Sequence, residues 1–185
     1  MIESMMAAGE GGLLRDAKAG DRAAFEQVIM RHERRVLLTA LHLLGRWEDA
    51  QDAAQEVFVR LHRYLDRFDD ARDLAPWLYR MTVNVCRDIG RKRREHAELD
   101  PDAADPACGP EHTAGSAEQR RILQSVLRKL PEKERAALVL RDLEGLPAAE
   151  VARILNSSEA TVRSQVSSAR LKILKLTERF RRERT

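Results

Sequence analysis

The chain has 185 residues, 34% of them charged and only 4% aromatic, with a formal net charge of +3. Length alone allows one domain or two. Abundant Ala, Leu, Arg and Glu with few aromatic strand formers point to an all-α fold. No apolar run is long enough to span a bilayer and no signal-peptide pattern opens the chain, so it is expected to stay in the cytoplasm without inserting in a membrane.

The small net charge conceals a strong division. Residues 1–94 carry 17 basic and 15 acidic groups, residues 95–117 carry no Lys or Arg and 6 acids, and residues 118–185 carry 16 basic and 9 acidic groups. The end of the chain is therefore cationic, as a nucleic-acid partner requires, and the acidic middle cancels it in the total.

Met1 to Gly12 is small, polar and Gly-rich and reads as a frayed end. Gly20-Asp21 is expected to end a short helix and cap the next, which reaches about Gly45 with Phe25, Val28, Ile29, Val36, Leu37, Ala40, Leu41 and Leu44 at three-and-four spacing. A second long helix is predicted from Trp47 to Tyr64, with Ala50, Ala53, Ala54, Val57, Phe58 and Leu61 on one face. An acid-rich turn, Asp66–Asp73, follows. Pro76 suits a first helical position and opens a helix carrying Trp77, Leu78, Met81, Val85 and Ile89, which ends in Arg91–Arg94.

Glu95–Gly115 holds three prolines and two glycines without hydrophobic periodicity, so it is read as a linker within 95–117. Beyond it, Ile122, Leu123, Val126, Leu127 and Leu130 mark a helix, and Pro131 opens another through about Leu143, stopped by Gly145. Pro147–Leu155 is next, with Val151, Ile154 and Leu155 inward, then the turn Asn156-Ser157 and Ser158 as N-cap of a long final helix. Two helices joined by so short a turn read as a helix-turn-helix.

In the final helix Val162, Val166, Ala169, Ile173 and Leu176 form the inward stripe. Ala160, Ser164, Ser167 and Ser168 face away, flanked by Arg163 and Arg170. Short polar groups let a helix enter the major groove, and Arg can read guanine edges or hold phosphates. The bland alternative is a solvated amphipathic face; the preceding helix and the cationic domain favour DNA. Arg179, Arg181, Arg182 and Arg184 at the tail would add phosphate attraction or form a disordered end.

The helix from Pro76 combines Trp77, Tyr79, Arg80, Asn84, Arg87 and a terminal basic cluster, a set suited to single-stranded DNA. Trp77 is read as a cap on the core rather than a base stacker. Asn84 is a poor mid-helix residue and needs another reason to be there. In the segment Asp49–Glu56, Asp52, Gln55 and Glu56 lie off the apolar stripe, and spacing says no more of them.

Neither Cys86 and Cys108 nor the five histidines show metal-ligand spacing, and no nucleophile triad, phosphate loop or dinucleotide turn appears. Two reduced thiols, no metal, no cofactor and no catalysis by the chain alone are expected.

Four ordered stretches carry a resemblance over nearly the whole chain: DAQDAAQEVFVRLHRYL (Asp49–Leu65), WLYRMTVNVCRDIGRKRR (Trp77–Arg94), LPEKERAALVLRDLEGLPAAEVARIL (Leu130–Leu155) and TVRSQVSSAR (Thr161–Arg170). With them the chain resembles the extracytoplasmic-function (ECF) sigma factors. The resemblance implies a sigma-two-like helical domain over 1–94 and a sigma-four-like helix-turn-helix domain over 118–185. Asp52, Gln55 and Glu56 then match the surface that docks on the β′ clamp helices of RNA polymerase. The loop Asp69–Ala75, with Asp73, and the helix with Arg80, Asn84 and Arg87 match the part that melts and reads the minus-ten element. Arg163, Ser164, Gln165, Ser167, Ser168 and Arg170 match the face toward the minus-thirty-five duplex. The linker matches the segment threaded toward the RNA exit path, where its negative charge resembles a transcript.

The same resemblance implies core polymerase, including its β subunit, and promoter DNA as partners, and an anti-sigma protein, membrane-linked, as regulator in a stress response. Family members often carry Arg where this chain has Gln165 and Ser168, which leaves fewer cations on its reading face. A ligand- or dimer-controlled helix-turn-helix regulator would explain residues 118–185 as well, but not the aromatic and basic helix at Trp77–Arg94. An enzyme with a helical active site lacks any constellation to support it.

Overall fold

The computed structural model describes the backbone of residues 2–99 and 114–183, and side chains within residues 10–95 and 121–178. The described residues form helices and turns with no strand. The order is α1 (Ile2–Lys18), α2 (Arg22–Leu44), α3 (Trp47–Tyr64), a 3-10 turn (Leu65–Arg67), α4 (Leu74–Leu99), α5 (Ala114–Arg128), α6 (Glu132–Leu138), α7 (Ala148–Leu155) and α8 (Glu159–Glu183).

The punctuation follows from local chemistry. Asp21 accepts from the backbone N–H of Ala23 at 2.8 Å and of Ala24 at 3.2 Å, satisfying two otherwise unpaired donors of α2. Gly45 ends α2 at φ 78°, and a Cβ there would lie 2.5 Å from Arg128 Nε, so both backbone and space demand glycine. Asn156 closes α7 at φ 53°, and Ser158 Oγ accepts from Thr161 N–H at 3.1 Å to start α8.

Four boundaries depart from the sequence reading. The opening segment is helical from Ile2: Leu14 is buried, and Glu10 pairs with His32 on α2, so packing overrides the poor helix propensity of Gly11 and Gly12. Pro76 stands in the first turn of α4 but not at its first position, because Asp73 caps the helix two residues earlier by accepting from Ala75 N–H at 2.9 Å. Proline is tolerated there because that turn has no intrahelical acceptor for its N–H. The backbone of α4 also runs on through Leu99 and α5 begins at Ala114, both inside the segment read as linker. Cys108 lies outside the described residues.

In the first half, Ala50, Ala53, Val57 and Leu61 of α3 are fully buried against α2 and α4. The two alanines let the helix backbones approach, and the longer residues fill the space beyond them. In the second half, Leu127, Ala137, Leu140, Val151, Val162 and Ala169 make the corresponding core. α5 buries Val126, Leu127 and Leu130 as expected, with Gln124 beside them, while Ile122 at its start is exposed.

The two halves pack directly on one another, and their buried residues form a continuous cluster. Glu144, beyond the wide turn Val139–Leu143 that ends α6, accepts from Thr39 Oγ1 on α2 at 2.7 Å and from Tyr79 OH on α4 at 2.7 Å. Glu132 accepts from Arg87 at 3.3 Å and from Arg94 at 3.2 Å. Arg128 donates to the Gly45 carbonyl.

Candidate nucleic-acid interface

On α4, Arg80, Asn84 and Arg87 are exposed in a row at i, i+4 and i+7, one face of a helix, while Leu78, Val85 and Cys86 are buried behind them. An unburied Asn84 in mid-helix has no packing duty in this fold. Trp77 is half-buried and stacks on Phe68 with centroids 5.0 Å apart and planes at 27°, as a core cap should. Tyr79, grouped by sequence with the strand-binding residues, is instead 4% exposed and committed to Glu144. Burial and then the bond to Glu144 raise its pKa well above the usual range, so its hydroxyl stays a donor.

The loop before α4 is built on acids bonded to its own backbone. Asp69 accepts from Ala71 N–H at 3.1 Å and from Arg72 Nε at 3.2 Å, and Asp73, exposed, caps α4. Lys18 of α1 reaches both the Phe68 carbonyl and the Asp70 carboxylate, pinning the loop to the bundle. Sequence reasoning missed Lys18 because a single lysine near a helix end carries no pattern.

On α3, Asp52 and Gln55 are exposed; Glu56 is half-buried and accepts from Arg60 Nε at 2.7 Å. Val59, 45% exposed, lies on the same face one turn beyond Gln55 and gives the polar patch an apolar edge. It was missed because an apolar residue in an amphipathic helix reads as core.

On α8 the inward stripe begins with fully buried Val162. Arg163, Ser164 and Ser167 are exposed and Gln165 is half-buried. Arg163 leans back on Glu159 at 2.7 Å, a surface pair that water and salt readily replace. Two further expected readers are bonded to other elements. Ser168 is half-buried and donates to Glu134 at 3.1 Å, and Arg170 grips Asp142 with both its Nε and a terminal nitrogen. The side chains of Arg179, Arg181, Arg182 and Arg184 lie outside the described ones.

Residues 28–96 match the family model described as sigma-70 region 2, and residues 120–173 match sigma-70 region 4. The chain is 35% identical over 163 residues to the ECF RNA polymerase sigma factor SigM of Mycobacterium tuberculosis, covering 85% of this chain and 79% of the relative. It belongs to the ECF sigma factor family.

An ECF sigma factor acts with RNA polymerase at promoter DNA and is a transcription initiation factor rather than an enzyme. The N-terminal match removes the reading as an ordinary helix-turn-helix regulator, whose sensing half would have no reason to resemble region 2. Among solved structures, CnrH in complex with the cytosolic domain of CnrY superimposes with TM-score 0.70 at 27% identity, covering 91% of this factor and 97% of CnrH. A second, the sigma factor RpoE in complex with the anti-sigma factor NepR from Bartonella quintana, has TM-score 0.73 at 20% identity over 83% of this factor and 96% of RpoE, a likeness of fold alone. Among the described residues no helix is long and apolar enough to cross a membrane, and no His, Cys, Asp and Glu group is placed to hold a metal ion.

Proposed function

We propose that this ECF sigma factor divides its work between its halves: residues 1–94 dock on core polymerase and read an unpaired strand, and residues 118–185 read duplex upstream. The observation that carries this reading is the exposed row Arg80–Asn84–Arg87 on a helix whose opposite side is core. It presents an amide, which can bond a base edge, between two cations that can hold phosphates. The acid-built loop with Asp73 sits at the start of that helix. In the duplex-reading half, Arg163, Ser164 and Ser167 form the reading face with Gln165 beside them; Ser168 and Arg170 position α8 through Glu134 and Asp142.

Asp52, Gln55 and Glu56, with Val59 at their edge, form the surface for the β′ clamp helices, and the second half leans on the β subunit. The acidic stretch 95–117 follows the RNA exit path. The chain works in the cytoplasm, without a cofactor. It is restrained by an anti-sigma protein tethered to a membrane, a reading favoured by the likeness to CnrH, which was solved with the cytosolic domain of CnrY.

Co-purification with core polymerase tests the docking surface. The wild-type chain should elute as a stoichiometric complex, and a chain carrying Asp52→Ala, Gln55→Ala and Glu56→Ala should bind at least tenfold more weakly while remaining helical. Equal binding by both chains overturns the assignment of that surface.

A further inference from the structure

We infer that α1 belongs to the strand-reading apparatus, with Lys18 as a positioning residue that presets the loop Asp69–Ala75 before a strand arrives. The inference rests on the assignment of that loop and of α4 to the unpaired strand.

Along α1, Gly11, Leu14 and Lys18 fall at i, i+3 and i+7, one face of a helix. Leu14 is buried in the core and fixes the depth at which α1 sits. Glu10, paired with His32 of α2, ties down the far end of the same stretch. A Cβ built on Gly11 would lie 3.4 Å from the Asp70 carbonyl oxygen, so the backbone of α1 passes close to the loop. Farther along, the Lys18 ammonium reaches the Phe68 carbonyl and the Asp70 carboxylate together.

That grip falls on the atoms that decide which way the loop faces. Phe68 is buried and stacked on Trp77, so its carbonyl marks the root from which the loop turns outward. Of Asp69, Asp70 and Asp73, Asp70 is the one turned inward: its Oδ1 is shut off from water, while Asp69 and Asp73 are exposed. A carboxylate oxygen in such a place is costly without a cation beside it, and Lys18 supplies the cation. With Asp70 held in, Asp69 and Asp73 stay outside, bonded to the N–H groups of Ala71 and Ala75. In this orientation Asp69, Arg72 and Asp73 line the same cleft as Arg80, the first member of the exposed row on α4.

Base reading depends on such preorganisation. When a loop must be ordered as the strand binds, part of the binding free energy goes to ordering it, and fixed groups no longer penalise the wrong base. Both partners of Lys18 lie at the root of the loop or within it, so Lys18 acts on a strand through the loop.

The test is the affinity of core polymerase carrying this chain for single strands. One strand holds the downstream element shared by its run-off start sites, and a set of others has each base of that element changed in turn. The ratio of affinities at the most discriminated base measures reading, and a merely structural loss of stability leaves that ratio unmoved. The wild-type complex should prefer the cognate strand. Lys18→Met should lower the preference about fivefold, and Lys18→Gln, which keeps a donor but removes the charge beside Asp70, should lower it less. Lys18→Arg should restore it. Circular dichroism identifies a variant that has lost its fold, and Lys18→Gln then carries the test in place of Lys18→Met. Full preference in the folded neutral variants, or a loss in Lys18→Arg as deep as theirs, overturns the positioning role and leaves the strand-reading assignment standing. A wild-type complex that holds every strand equally overturns that assignment, and the inference with it.

Discussion

Arg170 holds Asp142 through two hydrogen bonds, 2.8 Å from Nε and 2.7 Å from a terminal nitrogen, and so braces α8 against the turn that follows α6. The bond to Asp142 raises the guanidinium pKa further above its ordinary value. One helical face thus contains two arginines in different settings: Arg170, paired with Asp142 beyond its own helix, and Arg163, paired with Glu159 within it.

The two should separate on substitution. Arg163→Ala is expected to weaken binding to minus-thirty-five duplex by about 1–3 kcal/mol if it reads a base edge, or to lower the salt slope by about 1 if it holds a phosphate. It should leave the thermal midpoint unchanged. Arg170→Ala should lower the midpoint slightly and weaken binding only through the looser helix. Fluorescence anisotropy across a salt series, paired with thermal melts, distinguishes them.

Asn84→Ala should keep polymerase and duplex binding but reduce open-complex formation about tenfold, the worth of roughly 1.4 kcal/mol of lost base contact. Because Asn84 is exposed, helicity and melting temperature should hold or rise. Permanganate reactivity of thymines in the melted region reads the effect directly.

Burial pushes the Cys86 thiol up from its ordinary 9.0 to about 12. Below pH 9 the thiol is protonated both folded and unfolded, and stability is unaffected. Between pH 9 and about 12 the unfolded chain ionises while the native one does not, so stability should fall as pH rises through that window. In a Cys108→Ser chain at pH 8, Cys86 should resist a thiol reagent until denaturant is added. Rapid native-state labelling would show that the site opens.

Leu61→Ala should cost about 2–5 kcal/mol, since Leu61 is fully buried where α3 meets α2 and α4. Asp21→Ala should cost about 1 kcal/mol by leaving the donors of Ala23 and Ala24 without their cap. Urea denaturation monitored by circular dichroism measures both.

Most of the helical layout was legible because it is written locally. Asp21, Gly45, Gly145 and the Asn156–Ser158 turn mark helix ends by their own backbone chemistry, and the bounds of α3 follow directly from its stripe. The opening part of the first helix was hidden because Gly11 and Gly12 lower local propensity, while the contacts that compensate, Leu14 in the core and Glu10 with His32, lie across the bundle. Periodicity likewise placed Arg80, Asn84 and Arg87 on one face, but it could not separate Tyr79 from them. An aromatic at a helix flank serves a base or a buried carboxylate equally well, and only the position of Glu144, 65 residues away, decides. Ser168 and Arg170 show the same limit: their partners Glu134 and Asp142 come from another helix and the turn after it.

The most direct test of promoter selection is sequencing of run-off transcripts made by core polymerase on genomic DNA with and without the chain. Added protein should create a discrete set of start sites sharing one upstream and one downstream element, with the upstream preference weakened in Arg163→Ala. A transcript profile identical to that of core polymerase alone would contradict the account.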